Sequence, residues 1–171
     1  MEDFFDLAHE RYSVRRFSEE QIKKEELDRI LEVARVSPTA HNNQPQKIIV
    51  LQSEEAISKA REVTKYAFNA PTILIICADR DEEWHGNDGH RAGATDAAIV
   101  TTSMMFQAFD EGIGSCWVRG FDEPTLREAF EIPENYEIVA MLPLGYPSEK
   151  SRPAPGWHDV RKPIEEMVKY I

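Results

Sequence analysis

The stretch Thr72-Ile73-Leu74-Ile75-Ile76-Cys77-Ala78 carries no charge, glycine or proline. Neighbouring side chains of a strand point to opposite faces, so a short run that stays apolar predicts a strand covered on both sides. Upstream, Glu54 to Tyr66 predicts a helix with Ser53 as its N-cap, and Lys47 to Leu51 predicts a second strand around Ile48-Ile49-Val50. Downstream, Ala92 to Glu111 is rich in alanine and methionine and ends at Gly112. That pattern predicts a long, largely buried helix with a glycine stop. Ser115 to Val118 and Tyr136 to Leu144 read as strands, separated by a short helix, Glu123 to Phe130, capped by Asp122. Nearer the N-terminus, Leu27, Ile30, Leu31 and Ala34 follow helical spacing. That helix should stop near Ser37-Pro38, because proline disfavours helix in the residue before it. Helices separate the strands, which predicts a layered α/β or α+β domain.

A chain of 171 residues fits one domain spanning 1–171. Chains of this size hide roughly 70% of their unfolded surface, enough for a core without disulfides. Residues 147–171, with prolines at 147, 153, 155 and 163, read as an extended tail with no core of its own. Such a tail needs something to pack on, and a partner subunit is the expected support. Apolar residues at 42% and charged residues at 30% argue against wholesale disorder. A net charge of −11 repels nucleic acid and anionic membrane, so neither is expected as a partner. The start, MEDFFDLAHE, is acidic and amphipathic rather than a signal peptide, and no apolar run nears the ~18 residues of a membrane span. A cytoplasmic protein is the expectation. Cys77 and Cys116 each sit alone in an apolar run and read as free buried thiols.

Against that acidic background, Arg11-Tyr12-Ser13-Val14-Arg15-Arg16-Phe17 stands out. In an extended segment residues 11, 13 and 15 share a face, which gathers two guanidinium groups and a hydroxyl. Forked donors of that kind suit phosphate or carboxylate oxygens. A solvated basic turn pairing with the many carboxylates is the plainer alternative. The run Ser37-Pro38-Thr39-Ala40-His41-Asn42-Asn43-Gln44-Pro45 joins a helix to a strand, where loops carry function. Its amides suit the edge of a heterocycle, or else satisfy their own backbone in a turn. In Gly112-Ile113-Gly114-Ser115-Cys116-Trp117-Val118-Arg119-Gly120-Phe121-Asp122, Gly120 would let a flat ligand approach the backbone, while Trp117 reads more simply as core. Leu144-Gly145-Tyr146-Pro147 and Arg161-Lys162-Pro163-Ile164-Glu165-Glu166 complete the set.

In this order and spacing, RYSVRRF, SPTAHNNQP, GIGSCWVRGFD, LGYP and RKPIEEMV resemble the FMN-dependent nitroreductase family in its short form, from about Arg11 to Val168. The resemblance implies an α+β fold, a three-layer α/β/α sandwich with a central, mostly antiparallel sheet. It also implies a homodimer with FMN at the subunit interface and a C-terminal tail crossing to the partner subunit. Arg11 and Ser13 match positions that hold the phosphate and ribityl chain, and Arg15 one near the flavin N1/C2 edge. Pro38, Thr39, Ala40 and Asn42 match a loop that reaches FMN across the dimer. Asn69 matches, more loosely, an amide facing the pyrimidine ring. Arg119 and Gly120 match residues whose backbone N–H groups point at N5 and O4. Arg161 matches the tail's phosphate-binding residue, with Lys150 and Arg152 as rivals.

The chemistry so implied is ping-pong electron transfer from NADH or NADPH to a small-molecule acceptor such as a nitroaromatic or quinone. The cofactor carries it and no catalytic side chain is needed. His41 is the nearest candidate proton donor. The alternatives are a flavin store or sensor without turnover, and a specialised branch such as a reductive dehalogenase or flavin-fragmenting enzyme, which would need a substrate-gripping lid. The chain departs from the family pattern at Gln46, where many members carry an aromatic, and at Arg119, where many carry glycine or glutamate. The Arg119 side chain is expected to face solvent or pair with an acid; the alternative is that it reaches the flavin face, where it would favour an anionic acceptor or a nicotinamide phosphate. Asp79 to Gly89 reads as a short solvated acidic loop, without metal-ligand spacing, and Trp84 on it could cap a substrate. No GxGxxG fingerprint chooses between the two nicotinamides.

Overall fold

The computed structural model describes residues 3–171. Its helices are α1 (Phe4–Glu10), α2 (Lys24–Val36), α3 (Glu54–Val63), α4 (Gly93–Asp110) and α5 (Glu123–Ala129). Its strands are β1 (Gln46–Leu51), β2 (Thr72–Asp79), β3 (Gly114–Ser115) and β4 (Tyr136–Gly145), and single 3₁₀ turns lie at Ala40–Asn42 and Ile164–Glu166. The sheet order is β1-β2-β4-β3, with every ladder antiparallel.

β2 is buried at every position, as its composition predicts. Leu74, Ile76 and Ala78 pack with Leu27 and Ile30 of α2 and Val100 and Met104 of α4. Ile73, Ile75 and Cys77 pack on the other face with Ile57 and Ala60 of α3 and Leu126 of α5. The two-residue period of the strand thus supplies two cores, and the expected three-layer α/β/α sandwich follows.

Element ends have local causes. α2 stops where Ser37, extended ahead of Pro38, turns its hydroxyl back to Val33 O at 2.8 Å. α4 ends at Asp110, and Gly112 just beyond it takes a left-handed φ of +73°. α3 stops at Val63, short of the expected Tyr66. Thr64 is extended there, and its Oγ1 donates to Gly120 O at 2.6 Å and accepts from Tyr66 N at 3.1 Å. Those local bonds compete with another helical turn. β3 is likewise shorter than the expected Ser115–Val118. Cys116 N donates to Pro143 O at 3.3 Å, but proline has no N–H to return the bond. Pairing resumes only at an isolated bridge between Val118 and Met141.

Two regions without expected helix or strand are held by contacts within the chain. Residues 79–92 close into a small hairpin through a His85–Arg91 bridge and Gly86 N to His90 O at 2.8 Å. The tail runs along the chain's own segment 12–18: Phe17 bridges Pro147, Ser148 N donates to Arg16 O at 3.0 Å, and Tyr12 Oη meets Ser151 Oγ at 3.2 Å. Beyond Arg161 the tail is exposed throughout, Ile164, Met167, Tyr170 and Ile171 included.

Candidate functional site

After α1 the backbone extends, and Ser13 bridges Ser115 in parallel while Val14 N donates to Ser115 O at 2.9 Å. Val14 is fully buried against Gly114, where a Cβ would come within 2.5 Å of the valine Cγ2. With Val14 turned inward, alternation turns Ser13 and Arg15 the other way. Arg11, Ser13 and Arg15 then line one cavity of about 180 Å³, closed from the tail by Trp157, His158 and Arg161. The tail delivers Arg161 to Arg11 within one chain.

That cavity is strongly cationic. Among the described residues, Arg11, Arg15 and Arg161 pair with no carboxylate, although the chain carries 31 acidic residues. Arg15 reaches only Ser13 O, at 3.3 Å, and Arg161 only Trp157 O and Val160 O, at 2.7 and 2.9 Å. Nη1 of Arg11 is buried with no partner. Burial pulls the Arg11 pKa below its ordinary value, and the nearby Arg161 charge adds to that. A buried guanidinium nitrogen is costly to leave unpaired. An anion entering between these arginines would satisfy it, so the residues present fit a phosphate.

Arg15 also borders a second cavity of about 520 Å³. Its floor is the chain from Cys116 to Gly120, Tyr66 and Phe68 form one wall, and Ala154, Pro155 and Trp157 contribute from the tail. It is mainly apolar and suits a flat ring system. Among the described residues, the N–H groups of Arg119 and Gly120 donate no hydrogen bond within the chain. Two adjacent free donors at an apolar floor suit a heterocycle edge. The space beside Gly120 is filled differently from the sequence expectation: Tyr66 lies there, and a Cβ would sit 2.6 Å from its ring. The Arg119 side chain points away, paired with Glu123 at 3.0 Å and lying over Phe121 at 4.6 Å, as expected of it. Cys116 lines the cavity, but burial raises its thiol pKa, with Arg15 opposing. Burial pushes Cys77 up to about 12. Neither is a thiolate nucleophile near neutral pH.

The remaining candidates lie elsewhere within one chain. Asn69, at a φ of +58°, borders neither cavity. Pro38, Thr39, Ala40 and Asn42 also lie outside both. Ala40 N donates to Asp96 Oδ1 at 2.9 Å, Gln44 N to Thr39 Oγ1 at 3.0 Å, and His41 stacks on Trp84 at 5.3 Å. His41, Asn42 and Gln44 all adopt positive φ, a strained arrangement of the kind found at functional loops. Lys150 and Arg152, the rivals of Arg161, border neither cavity. The acidic hairpin gathers no metal-binding cluster among the described residues; its Glu83 is engaged by Arg91 and by Gly93 N.

Sequence reasoning passed over Tyr66, Phe68 and Trp157. Aromatics of this kind are usually core, and only the turn-forming run Pro153-Ala154-Pro155-Gly156-Trp157 hinted that one of them is held out at a mouth. A larger apolar groove of about 770 Å³ runs between α1, α2 and α4, past Phe4, Val33, Ile99 and Phe106. It lacks arginine and lysine and lies apart from the cationic cavity.

Comparison with known proteins agrees with this geometry. A nitroreductase family protein of Clostridium difficile 630 superposes with a TM-score of 0.91 at 38% identity, covering 98% of each chain. An FMN-dependent nitroreductase of Clostridium difficile R20291 superposes at 0.77 with 27% identity, over 97% of this chain and 98% of that one. An FMN reductase [NAD(P)H] of Bacillus subtilis is 28% identical over 163 residues, 84% of this chain and 65% of the relative. The sequence model of the nitroreductase family matches residues 8–68 and 64–146, which hold the arginine segment, the 37–45 loop and the cavity floor. On that match and that fold, the chain belongs to the nitroreductase family.

Proposed function

We propose that this chain is an NAD(P)H-dependent oxidoreductase that binds FMN, with the phosphate in the arginine cavity and the ring over Cys116–Gly120. The observation that carries this reading is the unpartnered, buried Nη1 of Arg11, facing Arg161 beside a ring-sized apolar cavity. The family and the FMN- and NAD(P)H-dependent relatives support it. Nitroaromatics, quinones and related planar acceptors are the proposed substrates.

FMN, when bound, supplies reversible acceptance and donation of electrons. The chain's own residues bind and tune. Arg11, Ser13 and Arg161 hold the phosphate end. Arg15, where the two cavities meet, places a cation at the edge where negative charge gathers on reduction, which favours the reduced form. Arg119 N–H and Gly120 N–H orient the ring edge. Both thiols stay protonated.

The chain works as a homodimer. The 37–45 loop and Asn69 have no ring to meet in their own subunit, and a partner's cavity is the proposed destination of the loop. The apolar α1/α2/α4 groove and the exposed residues 162–171 are the surfaces left to cover. Crossing of the tail begins after Arg161, since residues 147–161 are held by their own chain. Removing residues 162–171 should therefore lower dimer stability while leaving Arg161 in place. Light scattering over a dilution series checks this, and an unaltered dimer contradicts it.

Anaerobic titration of FMN-loaded protein with NADH and NADPH tests turnover. Bleaching of the flavin's visible absorption by either donor, reversed by a quinone or nitroaromatic, is the expected result. A loaded protein that neither donor bleaches would instead be a flavin store.

A further inference from the structure

We propose that Trp157 is a cofactor-binding residue of this chain, its indole covering the junction between phosphate and ring cavities and so limiting release of a phosphorylated flavin. Trp157 borders both cavities, sharing that position only with Arg15 and Ala154. Its ring lies 5.5 Å from the Arg15 guanidinium, a cation–π contact that orients it at the opening. It is nonetheless 72% exposed, so the ring is held at the mouth rather than in a core.

The backbone is built to hold it there. Trp157 N and His158 N both donate to Ala154 O, at 3.2 and 3.1 Å, closing a turn. Gly156 takes a φ of +75° in that turn, a conformation side chains disfavour, and prolines 153 and 155 stiffen the approach. The His158 ring packs edge-on against Tyr12 at 6.3 Å. Arg161 Nη1 donates to Trp157 O at 2.7 Å. The turn that carries the indole is therefore also bonded to the phosphate-facing guanidinium. Binding at Arg161 and closure by Trp157 are mechanically joined. An aromatic face over a flat cofactor contributes stacking that must be broken before the cofactor leaves.

This inference rests on the proposed FMN site, and the experiment separates the two. FMN release from loaded dimer is followed as recovery of flavin fluorescence on dilution, for the natural protein and for Trp157→Ala, Trp157→Phe and Arg11→Ala. Trp157→Ala should release FMN about tenfold faster, while Trp157→Phe, which keeps an aromatic face, stays within about threefold of the natural rate. Unchanged release in Trp157→Ala, with FMN weakened in Arg11→Ala, overturns the role of Trp157 and leaves the site standing. No effect of Arg11→Ala overturns the site itself. If Trp157→Ala does not fold, tryptophan emission still decides. FMN should quench the emission difference between the natural protein and Trp157→Phe, and a difference that FMN leaves untouched overturns the proposal.

Discussion

In the hairpin 79–92 the buried acid is fully engaged; around Arg11 the cations converge without a counter-ion. Glu83, almost wholly buried, accepts from Arg91 Nε at 2.6 Å and Gly93 N at 2.8 Å, and His85 stands 3.5 Å away. Asp79 has Asn135 at 2.9 Å and Lys47 at 3.8 Å. Arg11, Arg15 and Arg161 have, as hydrogen-bond partners among the described residues, only backbone carbonyls or nothing. A charged cluster that satisfies itself belongs to the fold. One of a single sign, partly buried and turned into a cavity, is held in place by the fold for something that arrives later. The hairpin's acid is a fastening, and the arginines are the proposed phosphate site.

The largest effect that distinguishes them should come from Arg11→Ala. FMN affinity should fall by about 1.5–3 kcal/mol, the worth of a charge-assisted hydrogen bond, measured by fluorescence titration. Stability without cofactor should barely change, because the substitution also removes repulsion from Arg161. A drop in stability with unchanged affinity would make Arg11 a fold residue after all.

Glu83→Gln should do the reverse: a loss of about 1–3 kcal/mol in urea unfolding with FMN affinity intact. Burial pushes the Glu83 pKa up, but the bonds from Arg91 and Gly93 N–H outweigh it and hold the carboxyl below its ordinary value. Its contribution is thus fully present above the unfolded value of about 4.3 and is lost as pH falls through the lower folded value. The stability difference between the natural chain and Glu83→Gln should shrink over that acid window. A constant difference would show that the carboxylate charge contributes nothing.

The smallest effect should be at Arg119. Its side chain is exposed and paired with Glu123 at the start of α5, so Arg119→Ala should change both stability and FMN affinity by less than about 0.5 kcal/mol. A large loss of affinity would place that guanidinium on the cofactor rather than on Glu123.

Much of this contrast was legible in the sequence, for physical reasons. The β2 run 72–78 read as a doubly covered strand from its composition, while the three-layer arrangement came from the family resemblance. Residues 11, 13 and 15 share a face by simple alternation once Val14 goes inward. The end of α3 was not legible, because it depends on Thr64 finding Gly120 O, fifty-six residues away in sequence. The interruption of β3 depends on Pro143 lying opposite Cys116, a matter of register. Gly120 was read as room for a ligand, yet the same absence of a side chain accommodates Tyr66. Trp157 was passed over as a site residue because its place comes from the path of the tail, of which the sequence shows only the turn-forming run 153–157. The roles expected of the 37–45 loop and of Asn69 rest on the proposed second subunit, since within one chain neither borders the two cavities.

The central claim is that arginines of this chain grip a phosphate, and comparing FMN with riboflavin by calorimetry tests it most directly, since the two differ only in that group. The account predicts that the natural protein binds FMN at least about tenfold more tightly than riboflavin, and that Arg11→Ala removes most of the difference. Equal affinity for the two flavins in the natural protein would contradict it.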